Sequence, residues 1–444
     1  MTHVVLITND VVGRRMAGPG IRFWEFARVL SRQFRVTLAI PPFLDLQEQP
    51  REPDFAAQIR ICRRITELRS VVGEADVVVT LGAVVSVYPF LSTLNKPLVV
   101  DSYDPFMLAG LHQNRDAARD ERVAAHERYR KAHLIALHSA DLVLCASEKQ
   151  RDYWLGMLSA VGRINPYTHD QDSSFRHLVR MVPFGLPRER PRHTAPALKG
   201  IVPGIGRDDK VVLWGGGIWN WLDAPTAVKA MARIAEQRSD VKLFFMGTRR
   251  PNLGLSRMAA VEQTIALSER LGLKDKYVLF HDWVDYEHRQ NYLLEADVGM
   301  MLHRDLLETR FAFRTRFLDY VWAGLPIVAT EGDVLSEHVR HSELGRVVAP
   351  GDEAAVARAI LELLETPNLK KACQSRFAAL AQAYQWDVVT EPLVDFCRDP
   401  SRAPDKRYLR TLRLTCAPTP WELRMKAAWA MFKDSGLGRL AIKR

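Results

Sequence analysis

Short apolar runs, each followed by a stretch of helical length, recur from the first residues of this chain and limit what it can fold into. Val4–Thr8, Phe34–Ile40, Asp76–Leu81, Pro97–Asp101 and Asp141–Ala146 read as buried strands, with helices at Ile21–Arg32 and Arg115–His138. Strands this short and this continuously apolar are shielded on both faces, a property of parallel strands joined by helical crossovers. The pattern stops at Met181–Pro187, and a Pro-, Gly- and Arg-rich connector runs from Arg188 to Arg207. It then restarts with strands at Val211–Trp214, Val241–Met246, Val278–His281 and Val298–Leu302. Helices at Ala224–Gln237, Met258–Leu271, Tyr286–Glu295 and Glu353–Glu365 alternate with them. A chain of 444 residues is too long for one ordinary core. Two successive doubly wound α/β domains are expected, at 1–190 and 208–375, followed by a helix within 376–400 and a tail over 401–444.

With 47% hydrophobic and 26% charged residues the chain is globular rather than disordered. Cys62, Cys145, Cys373, Cys397 and Cys416 show no metal-binding spacing, and an odd, scattered set argues for reduced thiols in the cytoplasm. The first residues form a buried strand rather than a signal peptide, and no run reaches the ~18 apolar residues that span a bilayer. A cytoplasmic protein, soluble or held at the inner face of the membrane, is therefore expected. The net charge of +10 is concentrated at one end, since residues 401–444 hold eleven Lys or Arg and three Asp or Glu. Within that tail Thr419-Pro420-Trp421-Glu422 reads as a helix start. Trp421, Met425, Ala428, Trp429 and Phe432 follow on one face, with Arg424, Lys426 and Lys433 off it. Such a basic amphipathic helix suits an anionic membrane interface or the protein's own surface.

The segment from Arg314 to Thr330 carries the most chemistry. It reads as a helix that opens with two guanidiniums, Arg314 and Arg316, carries Asp319 on the next turn and stops at Gly324. Pro326 prevents its resumption, and the strand Ile327–Ala329 follows at once. A helix start with outward N–H groups and a positive dipole end is a natural seat for phosphate. Arg314 and Arg316 would add charge-assisted bonds to it. Asp319 is placed to accept from two neighbouring hydroxyls, such as those of a ribose. Diphosphate and ribose together mean a nucleotide. The plain alternative is an ordinary amphipathic helix with Asp319 as a solvated charge.

Asp319, five residues before the glycine of Ala323-Gly324-Leu325-Pro326-Ile327-Val328-Ala329, makes this segment resemble the donor-binding helix of family 4 glycosyltransferases. The resemblance implies the GT-B fold, with two Rossmann-like domains facing across a cleft and the last helix crossing back to the first. It implies transfer of a sugar from a nucleotide diphosphate donor, with retention of configuration and no bound metal or other cofactor. The acceptor would be a surface polysaccharide, a lipid-linked glycan or another glycoconjugate. Arg314 and Arg316 are then assigned to the leaving diphosphate, and Asp319 to the ribose. Thr315, between the arginines, joins them in donor binding.

The same resemblance assigns further residues. Gly18 and Gly20, in the glycine-rich loop after the first strand, would let the backbone approach the donor. Gly216 and Gly217 follow the first strand of the second domain, but Asn220 stands where a dinucleotide fingerprint needs glycine. Family members carry an Arg and a Lys in this loop to hold the diphosphate, and neither is present here. Its charge must be met elsewhere, with Arg314 and Arg316 as candidates. Trp219 and Trp221 suit a sugar-binding wall or the core. Val284 would offer its backbone to the base, and Trp283 would shape that pocket. Counting back eight residues from Asp319, where many members hold a second acid, gives Phe311, so Glu308 is assigned to the donor sugar. By its position alone, after a strand in the first domain, Asp104 is a candidate to face the acceptor hydroxyl or the anomeric centre; a helix cap or turn is the alternative. His126, His133 and His138 have no HExxH pattern, so no metal is expected. The expected partners are the nucleotide sugar, its acceptor and an anionic membrane through 401–444, but no nucleic acid. Two other classes stay open, a sugar-nucleotide epimerase of the same fold and a non-catalytic binding or scaffold protein.

Overall fold

The computed structural model describes residues 1–42, 50, 52–249, 258–366 and 368–409. The expected helix at 419–433 and Cys416 lie outside these residues, as does Arg250 in the loop after Val241–Met246. Among the described residues the contacts divide the chain into two compact units, one within 1–12, 19–182 and 391–409, the other within 13–18 and 183–390.

The first unit is built on a parallel sheet of β1 (His3–Ile7), β2 (Arg35–Ile40), β3 (Ala57–Ile61), β4 (Val77–Leu81), β5 (Leu98–Asp101), β6 (Leu142–Cys145) and β7 (Val179–Met181). Their order is β3-β2-β1-β4-β5-β6-β7. Val5, Val78, Val100 and Val143 pack against Leu68, Val84, Leu137 and Trp154 of the surrounding helices. β3 escapes the sequence pattern because it is an edge strand with largely exposed side chains and no apolar run. The helix expected over Arg115–His138 spans Arg119–Ser139, and a separate short helix, Phe106–Gln113, precedes it. The expected helix at Ile21 begins three residues earlier, so Gly18 and Gly20 open it rather than form a loop.

The second unit repeats the design with β8 (Lys210–Gly217), β9 (Val241–Gly247), β10 (Val278–Phe280), β11 (Val298–Met301), β12 (Ile327–Thr330) and β13 (Gly345–Val348), ordered β10-β9-β8-β11-β12-β13 and parallel throughout. Residues of the connector belong to this unit because Glu295 gathers them. Its carboxylate accepts from the N–H groups of Ala197, Leu198 and Lys199 at 2.8, 2.7 and 2.9 Å. The helix expected over Arg376–Cys397 is three pieces, Leu369–Ala383, Trp386–Val389 and Glu391–Arg398. It breaks where Leu186 donates to the Tyr384 carbonyl and accepts from the Trp386 N–H.

After β11 and a short helix, Leu307–Phe311, a second helix spans Arg316–Ala323 and ends as its sequence dictates, with Gly324 at φ 63°, ψ 35°. Nothing lies within 4 Å of a Cβ placed on Gly324. Gly324→Ala therefore tests backbone conformation alone and is expected to destabilise the protein by about 1 kcal/mol. Chemical denaturation measures this, and an unchanged midpoint would contradict the left-handed cap.

Candidate donor-binding site

In the second unit the chain winds outward from β8 through β9 and β10, then returns to β11 on the other side of β8. At such a switch point the carboxyl ends of the two central strands leave a crevice. Here those ends are Gly215–Gly217 of β8 and Leu302–His303 after β11. The three glycines, expected as a loop, continue the strand through a register shift between Trp214 and Gly217, with Gly216 at φ +75°. A side chain at Gly217 would run into Trp219 and Trp283, 3.1 and 3.3 Å from its Cβ. Trp219 and Trp221 stack at 5.7 Å, half-buried against the core.

Tyr320 fastens the Arg316–Ala323 helix over this crevice. Its ring covers Gly299, where a Cβ would lie 2.7 Å away. Its hydroxyl sits 2.9 and 2.8 Å from the carbonyls of Leu213 and Met300 and accepts from the Gly215 N–H at 2.8 Å. Arg316, one turn earlier, is thereby held at the end of β8. Its Nη2 donates to the Gly217 carbonyl at 2.9 Å, and its guanidinium lies 4.7 Å from the Trp214 ring centre. Nη1 is buried without a hydrogen-bond partner among the described residues. Burial pushes the Arg316 pKa down to about 10, so the side chain stays charged at neutral pH.

The other arginine is differently placed. Arg314 donates Nη1 to Glu308 Oε1 at 3.0 Å and Nη2 to Oε2, a bidentate pair with both side chains buried. Glu308 thus balances Arg314 within the protein, and its two oxygens are engaged. Asp319 is one-third exposed and bonded to Arg289, Nε to Oδ1 at 3.1 Å. Arg289 stacks on Tyr286 and Trp322, at 3.8 and 4.8 Å. The Thr315 hydroxyl makes no cap bond. Trp283 lies against Gly217 and Gly247, and Val284 is buried.

The second unit therefore brings together Gly216, Gly217, Trp283, Glu308, Arg314, Thr315, Arg316 and Asp319. Gly20 and Asp104 belong to the first unit, after β1 and β5, where the Asp104 carbonyl accepts from the Phe106 N–H at 2.8 Å. Sequence reasoning missed Arg289 and Tyr320, which sit on a helix and in a core without local motif. It also missed His303 and Asp333, a pair on consecutive strand ends whose only sequence signal is the position of each just past a strand. Among the described residues no three His, Cys, Asp or Glu side chains group as metal ligands, and no helix is long and apolar enough to cross a membrane.

Residues 209–366 match the family model described as glycosyl transferases group 1. A phosphatidyl-myo-inositol mannosyltransferase of Mycobacterium leprae (strain TN) is 33% identical over 72 residues, 16% of this chain and 19% of that protein's length. Among solved structures, sucrose-phosphate synthase from Thermosynechococcus elongatus superposes with a TM-score of 0.64 at 17% identity, covering 90% of this chain and 98% of that one. Anabaena Alr3699/HepE in complex with UDP-glucose gives a TM-score of 0.64 at 16% identity, covering 90% and 100%. At these identities the likeness establishes the fold, that of GT-B glycosyltransferases.

Proposed function

We propose that this chain, whose residues 209–366 match the model of the group 1 glycosyl transferases, transfers a sugar from a nucleotide diphosphate donor to an acceptor. The observation that carries this reading is the state of Arg316. A buried guanidinium with an unpartnered nitrogen and no carboxylate in ion-pair reach among the described residues is an incomplete arrangement. A phosphate at the mouth of the same helix completes it, with the helix N–H groups and the open backbone at Gly216 alongside. Asp319, with one oxygen on Arg289, keeps the other for a ribose hydroxyl.

In this reading the donor diphosphate leaves as the glycosidic bond breaks, and Arg316 stabilises the charge that develops on it. The acceptor attacks from the same face, giving retention, and a diphosphate oxygen helps to take its proton. No bound metal is required. Asp104 faces the acceptor, which is a glycan or a lipid-linked carrier, and the basic residues of 401–444 hold the protein to the inner face of an anionic membrane. Arg314 serves the fold through Glu308 more than the donor. This limited supply of cations favours a second reading, a nucleotide-binding protein without transfer activity.

Titration with UDP, GDP, ADP and dTDP tests the site. At least one is expected to raise the melting temperature of the wild-type protein, and Asp319→Ala to weaken that nucleotide about tenfold or more, the loss of a charge-assisted bond. Equal affinity in the variant would refute the ribose assignment. Binding without turnover of the matching sugar nucleotide, with or without glycan acceptors, would favour the second reading.

A further inference from the structure

Both ring nitrogens of His303 are fully buried, and among the described residues neither has a hydrogen-bond partner within 3.5 Å; the Arg304 and Thr330 backbone stands near the ring without closing such a bond. The same holds for Asp333 Oδ2, which stands 3.6 Å from His303 Nε2, beyond hydrogen-bond reach. Asp333 is itself fixed, because its Oδ1 accepts from the Ser336 N–H at 2.6 Å and caps the Val334–His341 helix. The His303 backbone is fixed too, with its N–H donated to Thr330 Oγ1 at 3.3 Å. Folded chains satisfy nearly all buried polar atoms, and leaving three unpaired on two neighbouring side chains costs stability. These three lie at the carboxyl ends of β11 and β12, next to the crevice that holds Arg316. Gly332 is exposed and stands beside the ring, since a Cβ there would lie 3.6 Å from Thr309 Cγ2 and 3.9 Å from His303 Cε1.

Burial, with the Arg314 and Arg316 charges nearby, holds the imidazole neutral, its pKa pushed down to about 3. A neutral imidazole donates from one nitrogen and accepts at the other, which matches a hydroxyl. It matches a phosphate poorly, since phosphate only accepts and would approach the Asp333 carboxyl, while Arg316 already offers cationic donors. We propose that His303 is a sugar-contacting residue of the donor site, a ring nitrogen bonding a hydroxyl of the transferred sugar, with Asp333 as the positioning residue that orients the ring. This rests on the reading of the crevice as a donor site.

The experiment compares two ligands on the full chain, the nucleoside diphosphate that binds the wild type best among UDP, GDP, ADP and dTDP, and its glucose conjugate. His303→Ala is expected to weaken the conjugate at least tenfold and the diphosphate less than twofold by calorimetry. His303→Asn, whose amide also donates and accepts, is expected to recover part of the loss, and Asp333→Asn to show a smaller loss of the same kind. Melting curves report whether each variant is folded. Should His303→Ala not fold, the His303→Asn and Asp333→Asn comparison decides the assignment alone. Equal losses for both ligands, or none for either, would overturn the His303 assignment while leaving the donor site standing. A wild type that binds none of the diphosphates would remove the donor site and this proposal with it.

Discussion

Replacing Arg316 by alanine is expected to lower kcat/KM for sugar transfer by about 10²–10³-fold, the scale seen when one preorganised donor to developing charge is removed. The melting temperature should fall less than in Arg314→Ala, because among the described residues no carboxylate pairs with Arg316 and none is stranded, so only its bond to the Gly217 carbonyl and its packing on Trp214 are lost. Arg314→Ala is expected to behave in the opposite way. It would strand the buried Glu308 carboxylate, at a cost of about 3–5 kcal/mol in stability, with activity falling only as far as the folded fraction does. The two neighbouring arginines thus separate into one for chemistry and one for the fold. Steady-state kinetics with paired melting curves measure both. Near-wild-type kinetics in Arg316→Ala would remove this residue from the mechanism. A matched loss of activity in folded Arg314→Ala would show that the pair with Glu308 opens in the working enzyme.

That separation also marks how far the sequence alone could reach. The repeated strand–helix pattern was readable because both sheets are covered on both faces, so every central strand had to be an apolar run. The stop at Gly324 was readable because left-handed backbone and a nearby proline act locally. Edge strand β3, lacking that run, was not. The arginines were found by their position at a helix start, but a sequence does not say which carboxylate folds back on which guanidinium. Glu308 reaches Arg314 six positions on only because the Leu307–Phe311 turn brings it round. Asp319 was found from its spacing to Gly324, while Arg289, thirty positions away, entered only with the packing of two helices. His303 and Asp333 are joined by the order of strands, and no periodicity encodes that.

Asp405→Ala is expected to destabilise the first unit by about 3–5 kcal/mol, the usual cost of breaking a fully buried ion pair. Asp405 holds Arg163 from 242 positions away, with Oδ2 2.8 Å from Nε and Oδ1 3.2 Å from Nη2, and neither side chain is more than 1% exposed. Arg163 Nη1 also donates to the carbonyls of Leu137, His138 and Ala140 that end the Arg119–Ser139 helix. Around the pair, Ala403 donates its N–H to Asp141 at 3.0 Å, and Tyr408 stacks on Tyr167 at 3.9 Å. Residues 401–409, the start of what composition marks as a basic tail, are therefore part of the first unit's fold. Urea unfolding, with hydrogen exchange followed at residues 137–140, measures the effect. A loss below about 0.5 kcal/mol, the level of an ordinary surface substitution, would show the pair to be dispensable. The double replacement Arg163→Met with Asp405→Leu should recover only part of the stability, since it removes the stranded charge but leaves the carbonyls of Leu137, His138 and Ala140 without their Arg163 donor. It follows that deletion from 401 would remove this latch together with the basic segment. A truncation meant to test membrane attachment has to cut after Leu409, where loss of liposome binding can be assigned to the missing basic residues and not to a weakened first unit.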